Sequence, residues 1–171
     1  VLVDDQKVVY EQALELAERA QRGGPKQVLI VEGGPGTGKT HTVARILALL
    51  QALAGGRLRI GLAAPTGRAA ARLQESISLA RRTMPPDLAA LVPEQAGTLH
   101  RLLGLMPESG RFRRHRENPL HLDLLIIDEA SMIDVPLMAA LLEALPPSAR
   151  LLLLGDRDQL TSVEAGSLFG D

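Results

Sequence analysis

No cysteine occurs among the 171 residues, which rules out a disulfide scaffold and any thiolate metal site. Aromatic residues are almost as scarce: two phenylalanines, one tyrosine and no tryptophan. Obvious aromatic platforms for stacking nucleic-acid bases are therefore lacking. Charge of neither sign is in excess, with Lys+Arg 19 against Asp+Glu 20 and a net charge of −1. Any contact with a polyanion has to come from a local basic surface, because no global field draws one in. Long apolar runs are missing too. The longest, "VARILALLQALA", is broken by Arg45 and falls short of a bilayer span. The chain opens at Val1 with no secretory signal, so the expectation is a cytoplasmic protein that does not meet a membrane. Lysine is rare: Lys7, Lys26 and Lys39 stand against 16 arginines. A lysine retained in such a chain marks a place where a compact charge suits better than a guanidinium fork.

What is present is a globular composition, 46% hydrophobic and 23% charged, in a chain long enough to bury one core. Residues 8–21 carry Val9, Ala13, Leu16, Ala17 and Ala20 at helical spacing and stop at Gly23-Gly24-Pro25. "QVLIVEGG" (27–34), "LRIGLAA" (58–64), "HLDLLIID" (121–128) and residues 150–155 read as strands. Between them, 38–54, 67–82 and 135–145 read as helices, and 84–97 as a proline-broken connection with room for one short helix. Strands that alternate with helices, and that are continuously apolar, predict an α/β fold: a parallel β-sheet covered by helices on both faces. Ligands of such sheets gather at the carboxyl ends of the strands. Here those ends carry Gly33, Pro65-Thr66, Asp128-Glu129 and Asp156.

"GGPGTGKT", residues 33–40, fits G-x-x-x-x-G-K-[ST] between a predicted strand and a predicted helix. Gly33, Gly34, Pro35, Gly36, Thr37 and Gly38 are expected to turn backbone N–H groups onto phosphate oxygens at a helix N-terminus. Lys39 is expected to reach the outer phosphates of ATP, Thr40 to ligate Mg²⁺, and His41 to flank the same site. A dinucleotide loop is excluded, because G-x-G-x-x-G begun at Gly34 and Gly36 requires glycine at position 39. "LLIIDEAS" supplies two carboxylates at a strand end. Asp128 is placed to hold the hydrated Mg²⁺ and Glu129 to act as general base toward a water. The blander alternative is that Asp-Glu simply opens a helix with favourable charge. The cluster "GDRDQLTSV" after the last strand either is an ordinary polar loop or presents Gln159, an amide able both to donate to a phosphate and to accept from water.

"GGPGTGKT", "APTGRAAARL" (64–73), "TLHRLLG" (98–104), "LLIIDEASMID" (124–134) and "GDRDQLTSVEAG" (155–166) stand in the order found in superfamily 1 DNA helicases. Over residues 27–171 the chain most resembles the RecD family, the alpha subunits of bacterial RecBCD (exonuclease V) complexes. That resemblance implies a RecA-like P-loop domain, first of two, using ATP and Mg²⁺ to move 5′→3′ on single-stranded DNA. It also implies RecB- and RecC-like partner subunits in double-strand break repair. Residues 1–26 are expected to be a helical segment leading into the motor. The second motor domain, with its arginine finger, is expected outside residues 1–171, so this stretch alone is expected to bind ATP but hydrolyse it weakly.

Carried over residue by residue, the resemblance makes Lys39, Glu129 and Gln159 catalytic. It makes Pro65, Thr66, Gly67 and Arg68, with Thr98 and His100, the contacts to DNA. For His100 a buried structural role is the alternative. An upstream glutamine reads adenine in similar helicases, and Gln6 fits it best, with Gln12 as rival. Asp156, Arg157 and Asp158 would link to the second domain or to DNA. "GRFRRHRENP" (110–119) is either a turn near DNA or a partner, or a solvated protrusion. His41, His115 and His121 lack metal-ligand spacing. The rivals are a stand-alone RecD-like or relaxase-type motor and a non-hydrolysing, nucleotide-dependent assembly module.

Overall fold

The structure is a computed structural model that describes residues 27–32 and 39–155, with side chains from residue 40 onward. Five parallel strands form the main sheet: β1 (Gln27–Glu32), β2 (Ile60–Ala64), β3 (Gly97–Thr98), β6 (Leu124–Ile127) and β7 (Arg150–Gly155). Their order across the sheet is β1-β7-β6-β2-β3. Helices α1 (Lys39–Leu53), α2 (Gly67–Arg82), α3 (Pro86–Ala89), α4 (Leu99–Leu103) and α5 (Val135–Ala144) connect them. A separate antiparallel hairpin joins β4 (Leu105–Met106) to β5 (Arg111–Phe112). The expected helix over 8–21 lies outside the described residues.

Both faces of the sheet are covered, which is why its central strands are apolar along nearly their whole length, the buried Arg150 at the start of β7 being the exception. Every residue of β6 and β7 is buried. Successive side chains point to opposite faces, and the core divides accordingly. Leu124, Ile126, Leu152 and Leu154 pack with Val43 and Leu47 of α1 and with Leu73 and Ile77 of α2. Leu125, Ile127, Leu151 and Leu153 pack with Leu99 and Leu103 of α4 and with Met138 and Leu141 of α5. Among the described residues no helix is long and apolar enough to cross a membrane.

Polar residues pin the connections. Gln51 is buried within α1, where its amide donates to the Leu58 carbonyl at 2.8 Å and accepts from the Leu58 N–H at 2.7 Å. That pair guides the chain from the glycine turn at 55–56 into β2. Asp123, just before β6, accepts from the Arg59 backbone N–H at 2.8 Å and meets the Arg59 guanidinium at 3.2 Å. Burial pushes the Asp123 carboxyl up, but the hydrogen bonds from Arg59 and its charge outweigh that and hold it below its ordinary value. A carboxyl depressed in the folded state stabilises above its unfolded pKa and loses that contribution as pH falls through the folded value. Acid unfolding of Asp123→Asn, followed by circular dichroism, is therefore expected to be less steep below about pH 4 than that of the parent.

Three elements depart from the sequence expectation. Only Gly97 of the expected 84–97 connection enters β3, and the short helix expected there is α3. Residues 98–103, for which no element is expected, complete β3 and form α4, and 105–106 and 111–112 form the hairpin. The basic stretch 110–119 is not one free protrusion: it begins in β5. Arg114 then donates to the Pro119 carbonyl at 3.3 Å, and His115 and Asn118 close a tight bridged turn.

Candidate nucleotide site

Parallel strands deliver all their carboxyl ends to one edge. β7 pairs on one side with β1 in the register Glu32↔Gly155 and on the other with β6 in the register Ile127↔Leu153. The strand entering the glycine-rich loop, the strand entering the glutamine segment and the strand carrying the carboxylates are thus consecutive neighbours. Lys39 is the first residue of α1, with Thr40 half-buried behind it and His41 exposed. Gly33, Gly34, Pro35, Gly36, Thr37 and Gly38 lie outside the described residues, as do Gln6, Gln12, Asp156, Arg157, Asp158 and Gln159.

Asp128 and Glu129 leave β6 at this edge, both half-buried. The Asp128 N–H continues the ladder by donating to the Ala63 carbonyl at 3.0 Å. Its Oδ1 accepts from the Glu129 N–H at 2.9 Å, at the point where the backbone enters the left-handed region. Glu129 is the one non-glycine residue with positive φ among the described residues (φ 52, ψ 42). A side chain in that region costs about 1–3 kcal/mol, so the surrounding structure must hold it there. The Asp128 contact, the 3₁₀ turn Ala130–Met132 and the buried Ala130 do so. The α5 helix that follows is capped by Asp134, which accepts from the Leu137 N–H at 2.8 Å. Asp134 thus opens α5, while Glu129 stands at the N-cap of the 3₁₀ turn Ala130–Met132 without a side-chain bond to it.

The Glu129 carboxylate has a partner that the motifs alone do not indicate. Its Oε1 accepts from the Arg72 guanidinium of α2 at 2.6 Å. Its Oε2 is buried and receives no hydrogen bond among the described residues. One signal in the sequence points toward Arg72: it follows Arg68 by four residues on a predicted helix, hence on the same face. Its contact with Glu129, 57 positions away, has no local signature.

The residues expected to meet DNA fall at the same end of the sheet. Pro65 follows β2 half-buried, and Thr66, Gly67 and Arg68 are exposed. Thr66 caps α2, its hydroxyl accepting from the Ala69 N–H at 3.1 Å. An alanine at such a cap costs about 1 kcal/mol. Thr66→Ala is expected to lower the melting temperature by that equivalent, and Thr66→Ser to restore it, in a thermal denaturation series. Thr98 plays the same part for α4, accepting from the Arg101 N–H at 3.1 Å. His100 is exposed, with its ring centroid 6.1 Å from that of Phe112. The alternative of a buried structural histidine is thereby overturned, because the helix turns position 100 outward while Leu99 and Leu103 take the core.

The donor set suits the expected metal. A threonine hydroxyl and an aspartate are hard oxygen ligands, and so small a protein complement fits Mg²⁺, which keeps waters and shares its shell with phosphates. Among the described residues no cluster of three or more His, Cys, Asp or Glu stands ready to cage a cation.

A family model described as an AAA domain matches residues 17–165. The RecBCD enzyme subunit RecD of Haemophilus influenzae is 50% identical over 148 residues, which cover 83% of this chain and 23% of that protein. The RecBCD enzyme subunit RecD of Mycolicibacterium smegmatis is 53% identical over 148 residues, covering 83% and 27%. The ATP-dependent RecD2 DNA helicase of Deinococcus radiodurans is 44% identical over 140 residues, covering 82% and 17%. The chain thus spans between 17% and 27% of the length of these relatives.

Proposed function

The chain belongs to the AAA domain family, and on that premise we propose that it is the ATP-binding motor domain of a superfamily 1 DNA helicase of the RecD type. Within the whole protein it couples ATP hydrolysis to 5′→3′ movement along single-stranded DNA. It works in the bacterial cytoplasm beside RecB- and RecC-like subunits, in the repair of double-strand breaks. Half-identical relatives named as RecD, with RecD2 more distant, support this class over others. A stand-alone helicase differs from it in partners rather than in chemistry.

One observation carries the enzymatic half: two consecutive carboxylates follow β6 at the sheet edge, the second in a left-handed backbone turn with one oxygen buried. Asp128, with Thr40, is suited to holding Mg²⁺, which when bound neutralises charge on the phosphates of ATP. Glu129 is suited to accepting the proton of the attacking water, since its Oε2 is screened from bulk solvent. Lys39, at the mouth of α1, supplies a positive charge to the phosphoryl group in transfer. Gln159 follows β7, the strand between the phosphate-loop strand and the carboxylate strand, and serves to sense the outermost phosphate. The exposed N-terminus of α2, with Thr66, Gly67 and Arg68, and the exposed His100 beside Thr98 contact the DNA backbone. Binding through phosphates gives weak base preference and steep salt dependence.

The test is ATP affinity and turnover of the full-length protein with and without single-stranded DNA. A motor shows reciprocal coupling between the two ligands and DNA-stimulated hydrolysis. Nucleotide binding that ignores DNA and is not followed by hydrolysis identifies the assembly module instead.

A further inference from the structure

The Arg72–Glu129 contact joins the two halves of this reading. Arg72 sits on α2, the helix whose exposed N-terminus begins at Gly67. Arg68 and Arg72, both exposed, are one turn apart on a common face, where side chains four residues apart stand roughly 5–6 Å from one another. At its other end the Arg72 guanidinium holds Glu129 Oε1 at 2.6 Å, while Oε2 has no donor among the described residues. The two side chains are unequal in freedom. Arg72 is 59% exposed and Glu129 31%, and only Glu129 is fixed by a strained backbone. The long, solvated arginine is the partner that can leave. A guanidinium satisfies a phosphate with the same two-pronged geometry as a carboxylate, so a phosphate beside Arg68 competes directly for Arg72.

We propose that Arg72 is a positioning residue that couples DNA occupancy to hydrolysis: it restrains the Glu129 carboxylate in the absence of DNA and transfers to a DNA phosphate when a strand lies along the α2 N-terminus. This rests on Glu129 acting as the base and on α2 meeting DNA. With Arg72 bound, one oxygen of Glu129 is committed and the carboxylate is held in one rotamer. Once Arg72 has moved, the carboxylate is free to align with the attacking water. Neither Arg68 nor Thr66 can play this part. Thr66 is engaged with Ala69, and no contact of Arg68 with Glu129 is formed among the described residues.

The experiment compares Arg72→Ala, Arg72→Lys and Glu129→Gln in the full-length protein, within whatever complex it is isolated. ATP turnover is measured with and without an oligothymidylate, and oligothymidylate affinity is measured across a salt series. For Arg72→Ala the DNA-independent rate is expected to rise about two- to fivefold, as suits loss of a partly exposed ion pair. The ratio of stimulated to basal turnover should fall by the same factor, with ATP affinity unchanged. The slope of log affinity against log salt should shrink by about 0.7, one phosphate contact on a single strand. Arg72→Lys, which keeps the charge, should restore that slope. An unchanged stimulation ratio, or an unchanged salt slope, overturns the proposal and leaves Arg72 a prop for the turn. Glu129→Gln separates the two levels: if it hydrolyses ATP at the parental rate, Glu129 is not the base and both readings fall. If it is inactive while Arg72→Ala behaves like the parent, only the coupling role fails.

Discussion

Glu129→Gln in the full-length protein is expected to lower ATP turnover by about 10²–10⁴-fold, the range over which a positioned general base acts, while leaving ATP affinity nearly unchanged. The amide keeps the size and the planar head of the carboxylate, so the αL turn after Asp128 retains its shape and the core beneath Ala130 is untouched. What is lost is the capacity to take a proton. A glutamine also offers its donor group to the attacking water, which orients the water wrongly as well as failing to activate it. Single-turnover hydrolysis should fall as far as the steady-state rate, because the defect lies in chemistry and not in release of product. Asp128→Asn is the informative contrast, since it should weaken Mg²⁺-dependent nucleotide binding as well as turnover. A Glu129→Gln protein with parental turnover would move the base elsewhere.

Lys39→Ala carries the second large effect. Removing one pre-placed positive donor from a site of charge development lowers turnover by about 10²–10³-fold. On the role proposed for Lys39, ground-state binding of ATP should weaken too, since an ammonium that serves transfer would meet the phosphates beforehand. Lys39→Arg should not rescue it. A guanidinium is a broad planar fork and an ammonium a compact point charge, so the proposed role of Lys39 is not transferred by that exchange. In a chain with 16 arginines and three lysines the arginine is the commoner choice and was not used. Equilibrium titration with a fluorescent ATP analogue, together with steady-state turnover, measures both effects. Parental affinity and rate in Lys39→Ala would remove the phosphate-binding role from this loop.

Much of the fold was legible because its principal elements are long and strongly patterned. The helix expected over 67–82 is α2 to the residue, and the strand expected over 150–155 is β7. In α2 the hydrophobic periodicity agrees with a start signal, the N-cap threonine, and in β7 a continuous apolar run ends at a glycine. The elements that escaped are short. β3 has two residues, α4 five, and each hairpin strand two. None is long enough to express a period of 2 or 3.6. They exist because of their neighbours: Thr98 pairs with Ala64, and Leu99 and Leu103 fill the face beneath α5. Likewise Gln51 reads as a polar interruption of an apolar helix until its two bonds to Leu58 are seen.

By itself the sequence determined which chemistry is available here: a glycine-rich loop ending in Lys39-Thr40, paired carboxylates at 128 and 129, no thiol and only three aromatic residues. Those are properties of residue type and local spacing, and they survive in an unfolded chain. The tertiary structure decided that β7 lies between β1 and β6, that Glu129 sits in a left-handed turn, and that Arg72 holds its carboxylate across 57 positions. Strand order and long-range ion pairs arise from packing of the whole core, where many weak contacts choose together, and no local window of residues contains that choice.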